Sequence, residues 1–258
     1  MNLETVGLVV PVLLVSFVLT QVAVVSTSIY LHRGLTHRSL TIHPVADVIF
    51  RLILWLTTGQ RREQWVAVHR KHHAFTDAAG DPHSPKLLGF WRVQLGNVFY
   101  YMREARNAAT IRTYALDIKR DRWDEVLFDH TMLGPAVGIG LLVALFGWPQ
   151  GLAIALLHMV SYVFVVAPLI NGLGHWAGVQ SFTNGAFNWK SFAWFTGGES
   201  LHNNHHAHPH APKFSMGRRE ADPSWPVILM LRGLGLVKIR GRVIAVVNPS
   251  MSPELDDA

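Results

Sequence analysis

Residues 69–73 read His-Arg-Lys-His-His, and residues 202–206 read His-Asn-Asn-His-His. On a helix, positions i, i+3 and i+4 lie on one face, so each HxxHH box can direct its imidazoles at one place. Adjacent residues diverge by about 100° on a helix, and His72 and His73 are therefore expected to serve different metal ions. The repeated box predicts a helical protein with a two-metal site.

Two further histidine clusters lie at the ends of apolar segments. His32 and His37 form an HxxxxH box, and Asn171 and His175 are four positions apart. An offset of five leaves two side chains about 140° apart on a regular helix. We expect the first pair to converge because the helix ends between them, with Gly34 as the break.

The spacing does not select the metal, because imidazole binds zinc, copper, iron and nickel alike. A zinc hydrolase needs three ligands and an open position, and no HExxH motif supplies a general base. The chain has no Cys, which excludes disulfides, thiolate zinc sites and iron–sulfur clusters. The histidines outside the four clusters are interpreted as structural, with His83 the least certain of them because it lies beside an HxxHH box: His43, His83, His130, His158, His208 and His210.

The composition favours a membrane protein. Charged residues make up 16% of the chain, against about 25% in a typical soluble domain. No Asp, Glu, Lys or Arg occurs at residues 5–32 or 130–189. The net charge of +6 would also suit a nucleic-acid partner, but charge-free runs of this length favour a bilayer, with Lys and Arg marking its cytoplasmic side. The basic segment 92–122 is interpreted as such charge, with binding of an anionic headgroup, a carrier phosphate or an acidic electron donor as the alternatives.

The predicted fold is an all-α integral membrane protein, a single domain over residues 1–258. About three transmembrane helices are expected, since a span needs about 20 apolar residues, at residues 6–30, 131–147 and 152–171. The segment 45–59 is shorter and amphipathic, which predicts a helix lying in the membrane interface. The last two spans form a hairpin, so all four clusters are expected in a cytoplasmic helical cap.

The boxes and their contexts resemble the membrane-bound fatty acyl desaturases, especially the bacterial members of the delta-9 branch. HxxxxH, HxxHH and HxxHH occur in this order; residues 69–85 read HRKHHAFTDAAGDPHSP, residues 171–175 NGLGH and residues 198–206 GESLHNNHH. The resemblance covers roughly residues 30–240. Related hydroxylases carry HxxxH in the first box, so the offset of five favours a desaturase.

The resemblance implies two iron ions that use O2 to introduce a cis double bond, at the delta-9 position, into a saturated acyl chain. One iron would be held by His32, His37, His69, His73 and His205, and the other by His72, His175, His202 and His206, with Asn171 acting through a water. No catalytic residue is expected beyond this centre. Asp77, Asp81 and Glu199 lie close to the boxes and are expected either to orient ligand imidazoles or to be ordinary solvated carboxylates.

The resemblance leaves the acyl carrier open between CoA, a carrier protein and a phospholipid. Electrons are expected from a separate ferredoxin or cytochrome with its reductase. The expected location is the bacterial inner membrane, with the active site on the cytoplasmic side and no nucleic-acid partner. Hydroxylation, acetylenation and oxidative decarboxylation on the same scaffold are the alternative reactions. A metal carrier without catalysis is the rival class, but it predicts ionisable groups along a path inside the spans, where only His158 lies.

Overall fold

A computed structural model of the chain describes residues 3–245, so the two ends of the predicted domain, 1–2 and 246–258, lie outside the described residues. The fold is mainly helical. The α-helices are, in chain order, α1 (Leu3–Ser26), α2 (Pro44–Thr58), α3 (Arg62–Phe75), α4 (Pro85–Leu88), α5 (Phe90–Ala105), α6 (Ala108–Tyr114), α7 (Leu133–Phe146), α8 (Trp148–Val160), α9 (Ala167–Asn171), α10 (His202–Ala207) and α11 (Ser224–Gly233). One short antiparallel sheet pairs β1 (Leu40–Ile42) with β2 (Val237–Ile239).

Five shorter segments link or extend these helices. Three of them are wider, π-helical segments, at Thr27–Thr36, Asp124–Phe128 and Ser161–Val166. Two are single 3₁₀ turns, at Leu173–His175 and Lys190–Phe192. Two of the wide segments, Thr27–Thr36 and Ser161–Val166, continue α1 and α8 without a loop, and they therefore lengthen the apolar helices of the fold.

Two continuous helical rods are long and apolar enough to cross a membrane, Val9–Thr36 and Trp148–His175, each of 28 residues. At 1.5 Å per residue each rod is about 42 Å long, which exceeds the bilayer core of about 30 Å. The predicted middle span is the shorter helix α7, whose 14 residues reach about 21 Å. The fold is thus the all-α integral membrane class, and two of its three apolar helices have spanning length.

Small residues let α7 pack closely against α2. A Cβ atom on Gly134 would lie 2.1 Å from the carbonyl oxygen of Trp55, and one on Gly138 would lie 2.5 Å from that of Leu56. Helix pairs in membranes use such small residues for close backbone approach. Helix α7 therefore packs against α2 in addition to its hairpin partner α8.

The predicted interfacial segment is α2, and its interrupting charge is buried. Val45 and Ile49 are 54% and 48% exposed on its outer face. Arg51, on the inner face, is 4% exposed, and its guanidinium lies 2.7 Å from Asp121 and 2.6 Å from Asp124. The charge that breaks the apolar sequence therefore ties α2 to the segment after α6.

The largest buried apolar cluster lies beside the first histidine box. Ile29 and Leu31 pack with Phe50 and Leu54 of α2 and with Ile228 of α11, and each of these side chains is at most 7% exposed. Burying such a side chain contributes about 1.5–3 kcal/mol. The core thereby fixes the end of the first rod against α2 and α11.

The first rod keeps its helix through the first histidine box. In the wide segment Thr27–Thr36, the backbone N–H of His37 donates to the carbonyl oxygen of His32 at 3.0 Å. This i→i+5 pattern is the π-helical one, and it stacks residues five apart, with the two imidazole centroids 4.9 Å from each other. The expectation that the helix breaks at Gly34 was wrong, because a wider turn, rather than a helix end, brings the pair together.

Candidate metal centre

The nine histidines of the four boxes converge in two clusters. The five-histidine cluster consists of His32, His37, His69, His73 and His205, and the four-histidine cluster of His72, His175, His202 and His206. Within each cluster, one nitrogen from every imidazole lies within 4.8 Å of all the others. Ligands on opposite sides of one ion lie about 4 Å apart, since metal–nitrogen bonds measure about 2.0–2.1 Å. The two sets are those that the resemblance implied.

Helix α3 divides its histidines between the two clusters. His69 and His73, one turn apart, have their Nε2 atoms 3.0 Å from each other in the five-histidine cluster. The Nε2 atom of His72 instead lies 3.1 Å from that of His175. Helix α10 divides the three histidines of its own box in the same way. One short helix thus contributes to both clusters because adjacent side chains leave it in different directions.

Two aspartates of the loop after α3 support the four-histidine cluster. The Nδ1 atom of His72 lies 3.0 Å from both oxygens of Asp81, and that of His175 lies 3.2 Å from Asp77. The aspartate side chains are 0% and 9% exposed, so they are buried rather than solvated. Burial disfavours the charged form, but the hydrogen bond from His72 lowers the pKa of Asp81 to about 2. Both contacts place the imidazole proton on Nδ1.

These hydrogen bonds leave the inner nitrogens as lone pairs. A neutral imidazole carries one proton, so His72 and His175 present bare Nε2 atoms to each other at 3.1 Å. The Nε2 atom of His202 is 2.9 Å from that of His175. Burial lowers the pKa of His202, and those of His69 and His205 in the other cluster, well below the usual range. A bound cation is what such converging lone pairs need, and the residues therefore fit a metal ion in each cluster.

Glu199 supports the five-histidine cluster from within a buried ion network. One of its oxygens lies 2.5 Å from Nδ1 of His32, and the other accepts a hydrogen bond from Ser28. Arg33 is fully buried, lies 4.0 Å from Glu199 and donates to both oxygens of Asp222 at 3.0 and 2.9 Å. Although burial opposes charge, His32 and Arg33 lower the pKa of Glu199. The network holds a carboxylate ion against an imidazole of the five-histidine cluster.

Asn171 lies beside the clusters rather than among their imidazoles. Its side-chain N–H donates to Asn97 at 3.2 Å. Both asparagines line a cavity that also reaches His32 and His69. The structure therefore places Asn171 at the wall of that cavity, and not among the imidazoles of the four-histidine cluster with which it was expected to act.

Sequence reasoning missed several buried partners of the clusters. His83, interpreted as structural, is 3% exposed and stacks on His72 with ring centroids 4.7 Å apart. Neither of its ring nitrogens has a hydrogen-bond partner among residues 3–245. Its place beside the HxxHH box was the available signal. Asp222 gave no such signal, since 189 residues separate it from Arg33. His158 is structural as expected: from the second rod it bonds to the carbonyl oxygen of Thr57 in α2 at 3.0 Å.

An apolar cavity of about 130 Å³ reaches the five-histidine cluster. His32, His69 and Glu199 lie at its polar side. Its apolar walls come from α1, α5 and the second rod, and they consist of Val24, Val98, Val163, Val166, Ala167 and Ile170. The hydroxyls of Thr27 and Tyr162 meet across it at 2.7 Å. An apolar pocket with a few convergent polar groups is the usual form of a ligand site.

Buried imidazole clusters with carboxylate support, set at the ends of membrane-length rods, are the features of a membrane protein with two candidate metal sites and a candidate site for an apolar ligand. The family model for fatty acid desaturases matches residues 8–220. The chain therefore belongs to the fatty acid desaturase family.

Three relatives are similar over most of the chain. It is 31% identical over 210 residues to the sn-1 stearoyl-lipid 9-desaturase of Synechocystis. The aligned region covers 80% of this chain and 64% of that protein. The chain is 31% identical over 239 residues to delta-9 acyl-lipid desaturase 1 of Arabidopsis thaliana, covering 88% and 74%. The sn-2 palmitoyl-lipid 9-desaturase of Nostoc is 33% identical, covering 80% and 73%. The chain thus spans less than two thirds of the Synechocystis relative.

Proposed function

We propose that this protein is an O2-dependent desaturase that introduces a cis double bond at the delta-9 position of a saturated acyl chain. The observation that carries the proposal is the contact between the apolar cavity and His32 and His69 of the five-histidine cluster. In the balanced reaction, a saturated chain, one O2, two electrons and two protons give the unsaturated chain and two waters. The names of the relatives support the position of the double bond.

The two clusters would hold one iron ion each, and Asn171 would act through a water. When bound, the two irons supply the reduction of O2 that removes two hydrogens from adjacent methylenes. Asp77, Asp81 and Glu199 keep their imidazoles oriented and their inner nitrogens unprotonated. The metal affinity of both clusters depends on these contacts, because a protonated imidazole is not a ligand.

The cavity positions the acyl chain and keeps water from it. Val98, Val166 and Ile170 offer apolar contact from two sides, and Thr27 and Tyr162 satisfy each other's hydroxyls at 2.7 Å. An acyl chain held between these walls presents its methylenes to the cluster in one orientation. The entropy cost of orienting the chain is then met on binding and not during the reaction. The same walls exclude water from a reactive centre.

The charge pattern supports a cytoplasmic position of the active site. Lys and Arg mark the cytoplasmic side of a membrane, and they flank the histidine boxes in this sequence. We place the active site on the cytoplasmic side of a bacterial inner membrane, with a separate ferredoxin or cytochrome as electron donor. The acyl group would be carried by CoA, a carrier protein or a phospholipid; among the relatives, some are named for acyl-lipid and some for acyl-CoA substrates.

The test is a fatty acid methyl ester profile of cells with and without the chain, with derivatisation that locates double bonds. A new cis-monoene, absent when His202→Ala replaces the natural chain, is the expected result. A hydroxylated or shortened product would move the assignment to another reaction on the same site. Unchanged lipids in cells that contain iron-loaded protein and a working donor would contradict the proposal.

A further inference from the structure

Helix α5 carries an exposed apolar stripe along its outer face. Trp91, Leu95 and Phe99 are 69%, 68% and 69% exposed, and Met102 is 41% exposed. At about 100° per residue these four positions fall within an arc of about 80°. Large apolar side chains so close together mark a surface that has a partner.

The inward side of α5 is part of the cavity. Asn97, Val98 and Tyr101 line it, and Asn97 accepts the hydrogen bond from Asn171. The helix packs against Ser161–Val166 and α9, which form the end of the second membrane-length rod. The stripe therefore lies where that rod leaves the apolar core of a bilayer.

The charge on this outer face is entirely positive. Arg92, Arg103 and Arg106 are exposed. At about 100° per residue Arg92 and Arg103 lie along one edge of the stripe, and Arg106, which caps the end of α5, falls within its arc. Glu104, the one carboxylate of α5, is directed inward and paired with Lys71 at 2.8 Å. An apolar face bordered by basic residues is typical of a helix that lies in a membrane interface and attracts anionic lipid.

Aromatic rings extend the stripe towards the second rod. The ring of Phe90 lies 5.0 Å from that of Trp91 and 5.5 Å from that of Trp176. Trp176 directly follows the rod and is 47% exposed. Tryptophan is enriched at the headgroup level of membrane proteins, so the rings of α5 and of the rod end fit one common depth.

We propose that α5 is a membrane-docked helix. Trp91, Leu95 and Phe99 insert among the lipids, the three arginines contact anionic headgroups, and the inner face forms a wall of the cavity. The partner is the bilayer surface itself. This assignment goes beyond the proposed reaction and does not depend on it, since it concerns the position of a helix and not the chemistry of the centre.

Nitroxide labels on single cysteines test this position, and the natural chain has no Cys to remove. Leu95→Cys and Phe99→Cys are labelled in nanodiscs of mixed phosphatidylcholine and phosphatidylglycerol. We expect both labels to collide more with O2 than with a water-soluble nickel chelate, and we expect the same of a reference label at Leu141 of α7, which is 51% exposed. A label at Thr113, exposed on α6, is the control and shows the reverse order.

Two further readouts sharpen the result. In discs of phosphatidylcholine alone, contact of the Leu95 label with the nickel chelate should rise severalfold, because the arginines lose their partners. Brominated lipids should quench tryptophan fluorescence less in Trp91→Phe than in the natural chain. Labels at both positions that behave like Thr113 would overturn the proposal, as would labels shielded from both reagents, which would mean that protein covers the stripe. Circular dichroism of each variant verifies its fold.

Discussion

The two histidine clusters are held in opposite ways. The five-histidine cluster has more imidazoles, a single contacting carboxylate and a border on the apolar cavity. The four-histidine cluster has fewer imidazoles, and two of them contact aspartates of one loop. An apolar cavity cannot solvate additional carboxylates. We therefore expect the cluster beside the cavity to bind a metal through its number of neutral imidazoles, and the other cluster to bind one through the charge behind its imidazoles.

The largest expected effect comes from removing one imidazole of the poorer cluster. His72→Ala or His202→Ala leaves three imidazoles there, so bound iron should fall and the unsaturated product should disappear. Iron analysis of purified protein and the methyl ester profile measure both. His130→Ala is the matched control, because His130 is exposed and belongs to neither cluster. Full activity of both variants would reject the assigned centre.

Removing one charge behind the four-histidine cluster should have a smaller effect. Asp81→Asn removes the charge from the buried acceptor of His72 but keeps an amide oxygen there, and mutation of such a partner typically costs about 10–100-fold in metal affinity. Glu199→Gln should cost less, because four imidazoles without that contact remain in its cluster. Chelator competition gives both affinities, with Asp117→Asn, which loses only pairing with Arg70 and Arg38, as the control. Equal losses for the two variants would remove the distinction drawn between the clusters.

Acid should destabilise the metal-free protein through its imidazoles first. Burial holds the pKa of His69, His202 and His205 well below the usual range, whereas the unfolded chain binds those protons near about pH 6.5. Stability is therefore complete above that pH and is lost as pH falls towards the lowered values. The contribution of Asp81, with a pKa of about 2, is lost only in stronger acid. Thermal unfolding from about pH 7 to about pH 5 measures this, and an unchanged melting temperature would contradict it.

The smallest effect is expected from the cavity, which touches one cluster alone. Val98→Trp fills part of its volume of about 130 Å³, so the product profile should move to shorter acyl chains while bound iron stays constant. Val165→Trp is the control, because Val165 is 48% exposed on the neighbouring rod. Loss of iron in Val98→Trp would mean that the wall supports the centre and does more than hold the chain.

Sequence spacing sufficed where a regular helix carries the ligands. The divergence of neighbouring residues predicted that His72 and His73 serve different sites, and α3 has that arrangement. Which imidazoles share a cluster was implied only by the family resemblance. The convergence of His32 and His37 was predicted, but by the wrong mechanism. A π-helical turn depends on i→i+5 bonding that tertiary packing stabilises. The helix propensities of its residues therefore do not predict such a turn.

Contacts between distant segments were beyond the reach of spacing. The pairing of Arg33 with Asp222 and the packing of α5 against the second rod join residues far apart in the chain. Nothing local to either partner predicts such contacts. The stripe of α5 was visible as apolar positions in a basic segment, yet its meaning depended on which face the cavity occupied.

The two wide helical segments of the rods determine how far the histidine clusters lie from the bilayer. A π-helical turn holds more residues than an α-helical turn, so each rod changes the direction of its faces where it widens, at Thr27–Thr36 and Ser161–Val166. Before the widened segment a rod can turn its apolar side to lipid. Beyond that segment the same continuous rod turns this side towards the other rod. Thr27 and Tyr162 join the two widened segments at 2.7 Å. Insertion or deletion of one residue in either segment would rotate the part of the rod that follows it. The distance between the bilayer and the histidine clusters therefore depends on the helical register of these segments.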